Sequence, residues 1–560
     1  MNPQHMLQQG KGDSIRMKRR KLCALVLAAA LSGLTACSGG EKEEGTQTKK
    51  QEPVMTALEN GEVSLQKSTG GNPLVGDSET GDYQYGGDPS VLVDGDTVYL
   101  YTGHDLSTDS EVKRAIYNIP EYVCYSTKDM KNWKSEGTVM KVSTDEVDWV
   151  TSSTTAWASQ VVKHRDGEAG KDRCYLYYCS WDKTSSGKQS IGVAVADSPT
   201  GPFKDIGKPL VQGTLTEPQR SNWDDIDPTV WVETDDSGEE HRYLAWGNSQ
   251  YYICELNEDM ISVKDLNGDG KITCGMTPEE ADVLHHQTGL TSFTEAPWIY
   301  RRKDAEGKYY GKYYLFYAYG WRERMAYATT DNLLTGSWKF GSVLMPPTAT
   351  SNTNHMAVFD FKGKTYFVYH NGSLPGGNGY RRSACITELR FDDKGKVEVM
   401  SETAAGLNGT IMKIRDGAGN SLFHENFMNS GNDQEYPYKD IAVLAGTPET
   451  ERDAEWVLAK GKADPGKDAF VSIQSENKPG LYLTAGEDGT VTLAQDTDAS
   501  EAAAKRQTFR TVAGIADARG VSFESISQPG KYLTVKEQKL CLTDGSDKKM
   551  ATFYVDRKEK

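Results

Sequence analysis

Asp88-Pro89-Ser90-Val91, then the turn Asp94-Gly95-Asp96 and the strand-like Thr97-Val98-Tyr99-Leu100-Tyr101, decides the fold because it recurs. The second copy runs from Ala158-Ser159-Gln160-Val161 to Cys174-Tyr175-Leu176-Tyr177-Tyr178. The third runs from Asp227-Pro228-Thr229-Val230 to Arg242-Tyr243-Leu244-Ala245-Trp246. The fourth joins Glu295-Ala296-Pro297-Trp298 to Lys312-Tyr313-Tyr314-Leu315-Phe316-Tyr317, and the fifth joins His355-Met356-Ala357-Val358 to Lys364-Thr365-Tyr366-Phe367-Val368-Tyr369. The starts lie 70, 69, 68 and 60 residues apart. Five all-strand units at a regular period predict a propeller. Segments such as Gln189–Ala196 and Arg324–Ala328 supply outer strands, and no long 3.6-residue apolar period interrupts the region. The expected fold is all-β: a five-bladed β-propeller over 76–405, then a β-trefoil-like domain over 410–558.

A propeller gathers the starts of its innermost strands at one mouth of its channel. Asp88, Ala158, Asp227, Glu295 and His355 would converge there. An Asp-Pro before a strand ordinarily caps a turn. Three acids in register are a different matter, because clustered like charge is costly and shifts pKa values.

These residues resemble glycoside hydrolase family 43. Further matching segments are Ala196-Asp197-Ser198-Pro199-Thr200-Gly201-Pro202-Phe203, Asn354-His355 and Tyr380-Arg381-Arg382-Ser383. The resemblance implies hydrolysis of arabinosides or xylosides with inversion. By position, it makes Asp88 the general base, Glu295 the general acid, and Asp227 the residue that tunes the acid and orients the sugar. Inversion needs one ionised and one protonated carboxyl about 6.5–9.5 Å apart, and a neighbouring carboxylate raises the pKa of the acid. The resemblance also makes His355 the axial histidine near a hydrated ion, with a packed histidine as the alternative. It makes Arg382 a sugar contact, with Arg381 as competitor because one residue of register swaps their faces. Trp157 either lines the sugar pocket or packs inside its blade. Blade two departs from the family's Trp-Ala-Pro with Trp157-Ala158-Ser159, which loses a rigid turn and no chemical group.

At the other end, Val471–Leu483 is echoed by Val521–Leu533 at an offset of 50 residues, both containing Pro-Gly-x-Tyr-Leu. This pair resembles the arabinose-binding β-trefoil of carbohydrate-binding family 42. A trefoil needs a third lobe from residues 410–465, where no repeat is visible. The module either binds sugar or serves packing alone.

The leader reads as a lipoprotein signal. Met17, the expected start, opens a basic run through Lys21; Leu22–Ala36 is apolar and too short to span a membrane; Leu34-Thr35-Ala36-Cys37 resembles a lipobox. The resemblance implies a signal peptide over 1–37 with a lipid on Cys37, and residues 38–75 read as a flexible tether. An exported bacterial lipoprotein, at the cell surface or facing the periplasm, is expected. The remaining seven cysteines are scattered and form no disulfide framework or zinc site. Asp265-Leu-Asn267-Gly-Asp269-Gly270-Lys-Ile272-Thr273 resembles the start of a calcium loop, yet position twelve is Met276. It is either a structural calcium site or a set of Asx turns.

Among 560 residues, 63 basic and 80 acidic give net −17, which argues against nucleic-acid binding. The 29 tyrosines and 11 tryptophans supply surfaces that stack on sugars, although tyrosine also simply favours strands. The expectation is a monomeric exo-acting α-L-arabinofuranosidase that acts on arabinoxylan or arabinan side chains, needs no cofactor, and meets the membrane only through its lipid. The alternatives are a β-xylosidase with the same mechanism, or a non-catalytic glycan-binding lipoprotein.

Overall fold

The computed structural model describes residues 53–74, 84–167, 169–216, 220–425, 440–495 and 500–559. The leader, the Cys37 anchor and the tether up to residue 52 lie outside these residues.

Five antiparallel sheets stand around one axis. Blade one contains Gly86–Asp94, Thr97–His104, Glu121–Thr127 and Lys134–Lys141 in that order. Blade two contains Gln160–Asp166, Lys171–Asp182, Lys188–Ala196 and the short Lys204–Asp205. Blade three contains Thr229–Thr234, Glu240–Trp246, Tyr252–Glu255 and Val283–His285, with Cys274–Gly275 added in parallel at its edge. Blade four contains Phe293–Lys303, Tyr309–Tyr319, Arg324–Thr330 and Lys339–Met345. Blade five has three strands, Ala357–Phe361, Lys364–Asn371 and Ser383–Glu388. Asn72 and Leu74 cover its outer edge: Leu74 N–H donates to Ala384 O, and the Asn72 amide both donates to Ile386 O and accepts from Ile386 N–H. The N-terminal segment thereby satisfies backbone groups that an open edge would leave unpaired.

The strands form because alternate residues face neighbouring blades. Val98, Leu100, Val123 and Tyr125 of blade one pack with Phe316, Phe367 and Ile386 of blades four and five in one buried cluster. Each such side chain, fully buried, contributes roughly 1.5–3 kcal/mol relative to exposure. Polar side chains stitch successive inner strands together. The Gln160 amide accepts from Val230 N–H and donates to Val230 O, Thr229 Oγ1 accepts from Ile299 N–H, and Trp298 Nε1 donates to Val358 O.

Residues 412–557 close into a barrel. Met412–Asp416, Glu455–Lys460, Phe470–Ser475, Phe509–Ala513, Val521–Ser525 and Phe553–Arg557 pair in a six-stranded ring. Three hairpins accompany it: Ser421–His424 with Ile441–Gly446, Leu481–Ala485 with Val491–Gln495, and Tyr532–Lys536 with Lys539–Thr543. That layout is compatible with a trefoil. The lobe invisible in the sequence is Met412–Lys460, where Trp456 and Leu422 join Phe509, Phe553, Leu483 and Leu533 in the core.

The tether expected over 38–75 needs correction for residues 53–74. Met55–Ala57 and Val63–Leu65 form a hairpin, Val63 and Leu65 enter the barrel core, and Thr511 Oγ1 donates to Val63 O at 2.6 Å. The strands are only three residues long, so no alternation was legible. The barrel is tied to blade five as well. Gln495 Nε2 donates to Gly372 O and Gly377 O at 3.1 and 3.0 Å, and the buried Glu476 carboxylate accepts from Thr403 Oγ1 and Ala405 N–H. The seven described cysteines are all free, in keeping with their scattered spacing.

Candidate active site

The inner strands bend where they reach the channel mouth. Asp88, Asp227 and Ala296 adopt φ of +52°, +60° and +57°, a left-handed conformation that costs a non-glycine residue energy. The pairing register slips at the first and fourth of these strands, between Gly87 and Ser90 and between Glu295 and Trp298. Such bulges re-aim a side chain out of the alternating pattern. Here Asp88, Asp227 and Glu295 line one cavity of 620 Å³, together with Arg382, Trp157 and Glu323.

Asp88 is held from two sides. Its N–H donates to His370 Nδ1 at 3.1 Å, and Arg382 Nη1 donates to its Oδ1 at 2.6 Å. Arg382 is itself fixed by Asp105, which accepts from Nε and Nη2 at 2.9 and 3.0 Å and from the Arg382 N–H at 2.8 Å. Its guanidinium also lies 4.8 Å from the Tyr117 ring centre. Gly87 makes this possible, because a Cβ there would sit 2.2 Å from the guanidinium carbon. Burial acts most strongly on Asp88 and would raise its pKa, but Arg382, with smaller contributions from His370 and His355, holds the carboxyl below its ordinary range.

The other acids are pushed the opposite way. Burial, then the charge of Asp88, raises Glu295, which opens to the cavity and accepts a hydrogen bond from Asn248 Nδ2. Burial, then Glu295 and Asp88, pushes Asp227 well above the carboxylate range. Asp227 Oδ2 accepts from Ala296 N–H at 2.9 Å, which ties it to the residue after Glu295. The cavity thus holds one carboxyl favoured as the anion and others favoured as acids. Inverting hydrolysis of an acetal requires that division.

Trp157 lines the cavity and meets Trp181 edge to face, with ring centres 6.3 Å apart. Arg381 points elsewhere, to Ser107 O and Asp109. Trp223 and Trp321 stand on the rim, 47% and 62% exposed. His355 is buried 3.9 Å from Asp227, and burial lowers its pKa to about 4, so it is neutral. Among the described residues no three His, Cys, Asp or Glu side chains converge as metal ligands. No protein-built cage surrounds His355 among the described residues. In the calcium-like loop the side chains serve the loop's own backbone. Asp265 accepts from Gly268 and Gly270 N–H, Asn267 from Asp269 N–H and Asp269 from Lys271 N–H, as Asx turns do.

Sequence reading missed Asp105, Asn248 and Glu323. Each follows the second strand of its blade: Thr97–His104, Glu240–Trp246 and Tyr309–Tyr319. In an antiparallel hairpin the second strand ends where the first begins, so these turns join the same mouth. They follow those strands at zero, one and three intervening residues, so no fixed spacing marked them.

A family model described as Glycosyl hydrolases family 43 matches residues 83–397, and one described as Alpha-L-arabinofuranosidase B (ABFB) domain matches residues 421–557. The chain is 28% identical to a "Xylosidase/arabinosidase" of Bacteroides ovatus, over 57% of this chain and 94% of that one. It is 26% identical to an "Arabinoxylan arabinofuranohydrolase" of Bacillus subtilis, over 69% of this chain and 72% of that one. A solved α-L-arabinofuranosidase from Clostridium thermocellum is 30% identical, over 56% and 92% of the two chains, with a TM-score of 0.42. With more than half its length matched, and a propeller whose mouth gathers three acids, the chain belongs to glycosyl hydrolases family 43.

Proposed function

We propose that this protein is an inverting exo-glycosidase that removes terminal α-L-arabinofuranosyl residues from arabinoxylan or arabinan. What supports the mechanism is that Asp88 and Glu295 line one cavity whose surroundings push their pKa values in opposite directions, Asp88 down and Glu295 up. Asp88, ionised, takes a proton from a water that attacks the anomeric carbon. Glu295 gives its proton to the leaving oxygen as the glycosidic bond breaks. Configuration inverts in a single displacement, using side chains and water alone. Asp227, itself pushed toward its neutral form by burial, Glu295 and Asp88, accepts from Ala296 N–H and so holds the bulge that aims Glu295. Arg382 fixes Asp88 and borders the sugar. Trp157, Trp223 and Trp321 offer faces on which sugar rings stack.

The arabinose preference rests on the C-terminal match to an arabinofuranosidase B domain and on the arabinofuranohydrolase relatives. β-Xylosidase activity is the second reading, supported by relatives named for both sugars. We further propose that the leader directs export and that a lipid on Cys37 anchors a monomer to the membrane. The test is release of 4-nitrophenol from the α-L-arabinofuranoside and the β-D-xyloside at equal concentration. Preference for the arabinoside supports the proposal. Preference for the xyloside overturns the substrate, and turnover of neither these nor arabinoxylan overturns the enzyme.

A further inference from the structure

The cavity contains a fourth carboxyl that the mechanism above does not use. Glu323 closes the turn between Tyr309–Tyr319 and Arg324–Thr330 and is 2% exposed. Its Oε2 accepts the Asn354 N–H at 2.6 Å, and its carboxyl shares a hydrogen bond with that of Glu295. Two carboxyls in hydrogen-bond contact need a proton between them, because two anions repel and neither can donate.

The surroundings decide which carboxyl keeps that proton. Asp227 and Asp88 border the same cavity as negative or potentially negative groups, and Arg382 is committed to Asp88 and Asp105. Arg322, beside Glu323 in the chain, sends its guanidinium to Ser351 O and Thr348 O. His355, next to Asn354, is neutral. Glu295 has Asn248 as a donor that stabilises its anion, whereas Glu323 has one backbone N–H and deeper burial. Burial and Glu295 both favour the neutral form of Glu323.

We propose that Glu323 is a positioning residue for the general acid: it stays protonated and donates a hydrogen bond to Glu295. This rests on the reading of Glu295 as the acid. When Glu295 passes its proton to the leaving oxygen, the new carboxylate is met by two donors already in place, Asn248 Nδ2 and the Glu323 hydroxyl. Stabilising the anion limits how far burial and Asp88 raise the pKa of Glu295, so its proton remains transferable. It also fixes which oxygen faces the substrate.

Gln copies a protonated Glu in shape: one oxygen to accept from Asn354 and an amide to donate to Glu295. Met keeps volume and removes both functions. The experiment measures pH profiles of kcat/KM for Glu323→Gln and Glu323→Met, on an aryl glycoside with a good leaving group and on an alkyl glycoside or oligosaccharide with a poor one. Glu323→Met should lose roughly ten- to a hundredfold on the poor leaving group and much less on the good one. Its alkaline limb should move upward by about one pH unit, the worth of a hydrogen bond to a charged group. Glu323→Gln should restore most of the lost rate and return the limb toward its original place. The proposal is overturned if Glu323→Gln moves the alkaline limb downward, because Glu323 is then an anion acting by repulsion. It is also overturned if Glu323→Met loses equally on both leaving groups with an unmoved limb. If Glu323→Met does not fold, the direction of the Glu323→Gln shift still decides. Glu295→Gln separates the two readings. A wild-type rate on the poor leaving group removes Glu295 from the acid's role, whereas a lost rate alongside unaffected Glu323 variants removes only this inference.

Discussion

Arg382 donates to Asp88 at this mouth, and its removal gives the sharpest test of how the base is kept ionised. Nη1 and Oδ1 are 2.6 Å apart. With charge centres roughly 4 Å apart and an effective dielectric of about 20, the attraction is about 4 kcal/mol, or about three pKa units. Burial already works to raise Asp88, so losing the cation lets the carboxyl climb above its ordinary range. Arg382→Met alone would leave Asp105, which is fully buried, with an unpaired charge, at a cost of about 3–5 kcal/mol to folding. The double variant Arg382→Met with Asp105→Asn removes both charges together and keeps the Asp88 question isolated. The sign follows from the base being active as the anion: activity is lost as pH falls through the pKa of Asp88. The acid limb of kcat/KM should therefore move upward by about two to three pH units, with a loss on the order of a hundredfold at pH 5 that shrinks as pH rises. The assay is the pH–rate profile, with circular dichroism to confirm folding. A uniform loss at every pH, with the acid limb in place, would refute the reasoning and leave Arg382 as a sugar contact only.

Three further outcomes are expected. Gly87→Ala places a methyl against the Arg382 guanidinium, so it should cut kcat by tenfold or more and shift the acid limb in the same direction as the double variant. Trp321→Ala removes an exposed rim platform and should raise KM for oligosaccharides several-fold, with little change on a nitrophenyl monosaccharide. Asp225, buried against Trp246 Nε1 and Thr216 Oγ1, is raised by burial from 3.8 to about 7. Because its folded pKa lies above its unfolded one, its neutral form favours folding below pH 4, and that contribution is lost as pH rises toward 7. Asp225→Asn should flatten the fall in Tm between pH 4 and 7; a fall as steep as the parent's would contradict this.

The propeller was legible because each blade opens with a residue aimed at the axis and continues into a Tyr-rich second strand, a pattern that survives substitution between blades. The acids were legible for the same reason, since Asp88, Asp227 and Glu295 occupy one register position. Asp105, Asn248 and Glu323 were not. They sit on turns of different length, at zero, one and three intervening residues after strands ending at His104, Trp246 and Tyr319, so no common spacing marks them. The first barrel lobe escaped because Trp456 stands where the other lobes have Phe509 and Phe553, and its strands lack the Pro-Gly-x-Tyr turn. Gln495, which binds the barrel to the blade-five loop through two glycine carbonyls, carries no signature that a sequence displays.

The central claim is a single displacement between Asp88 and Glu295, and the configuration of the first-formed product reports on it directly. Proton NMR of hydrolysis at early times, before mutarotation, should show the anomer opposite to that of the substrate: β-L-arabinofuranose from an α-L-arabinofuranoside. First appearance of the same anomer as the substrate would require a covalent glycosyl intermediate and would contradict the account.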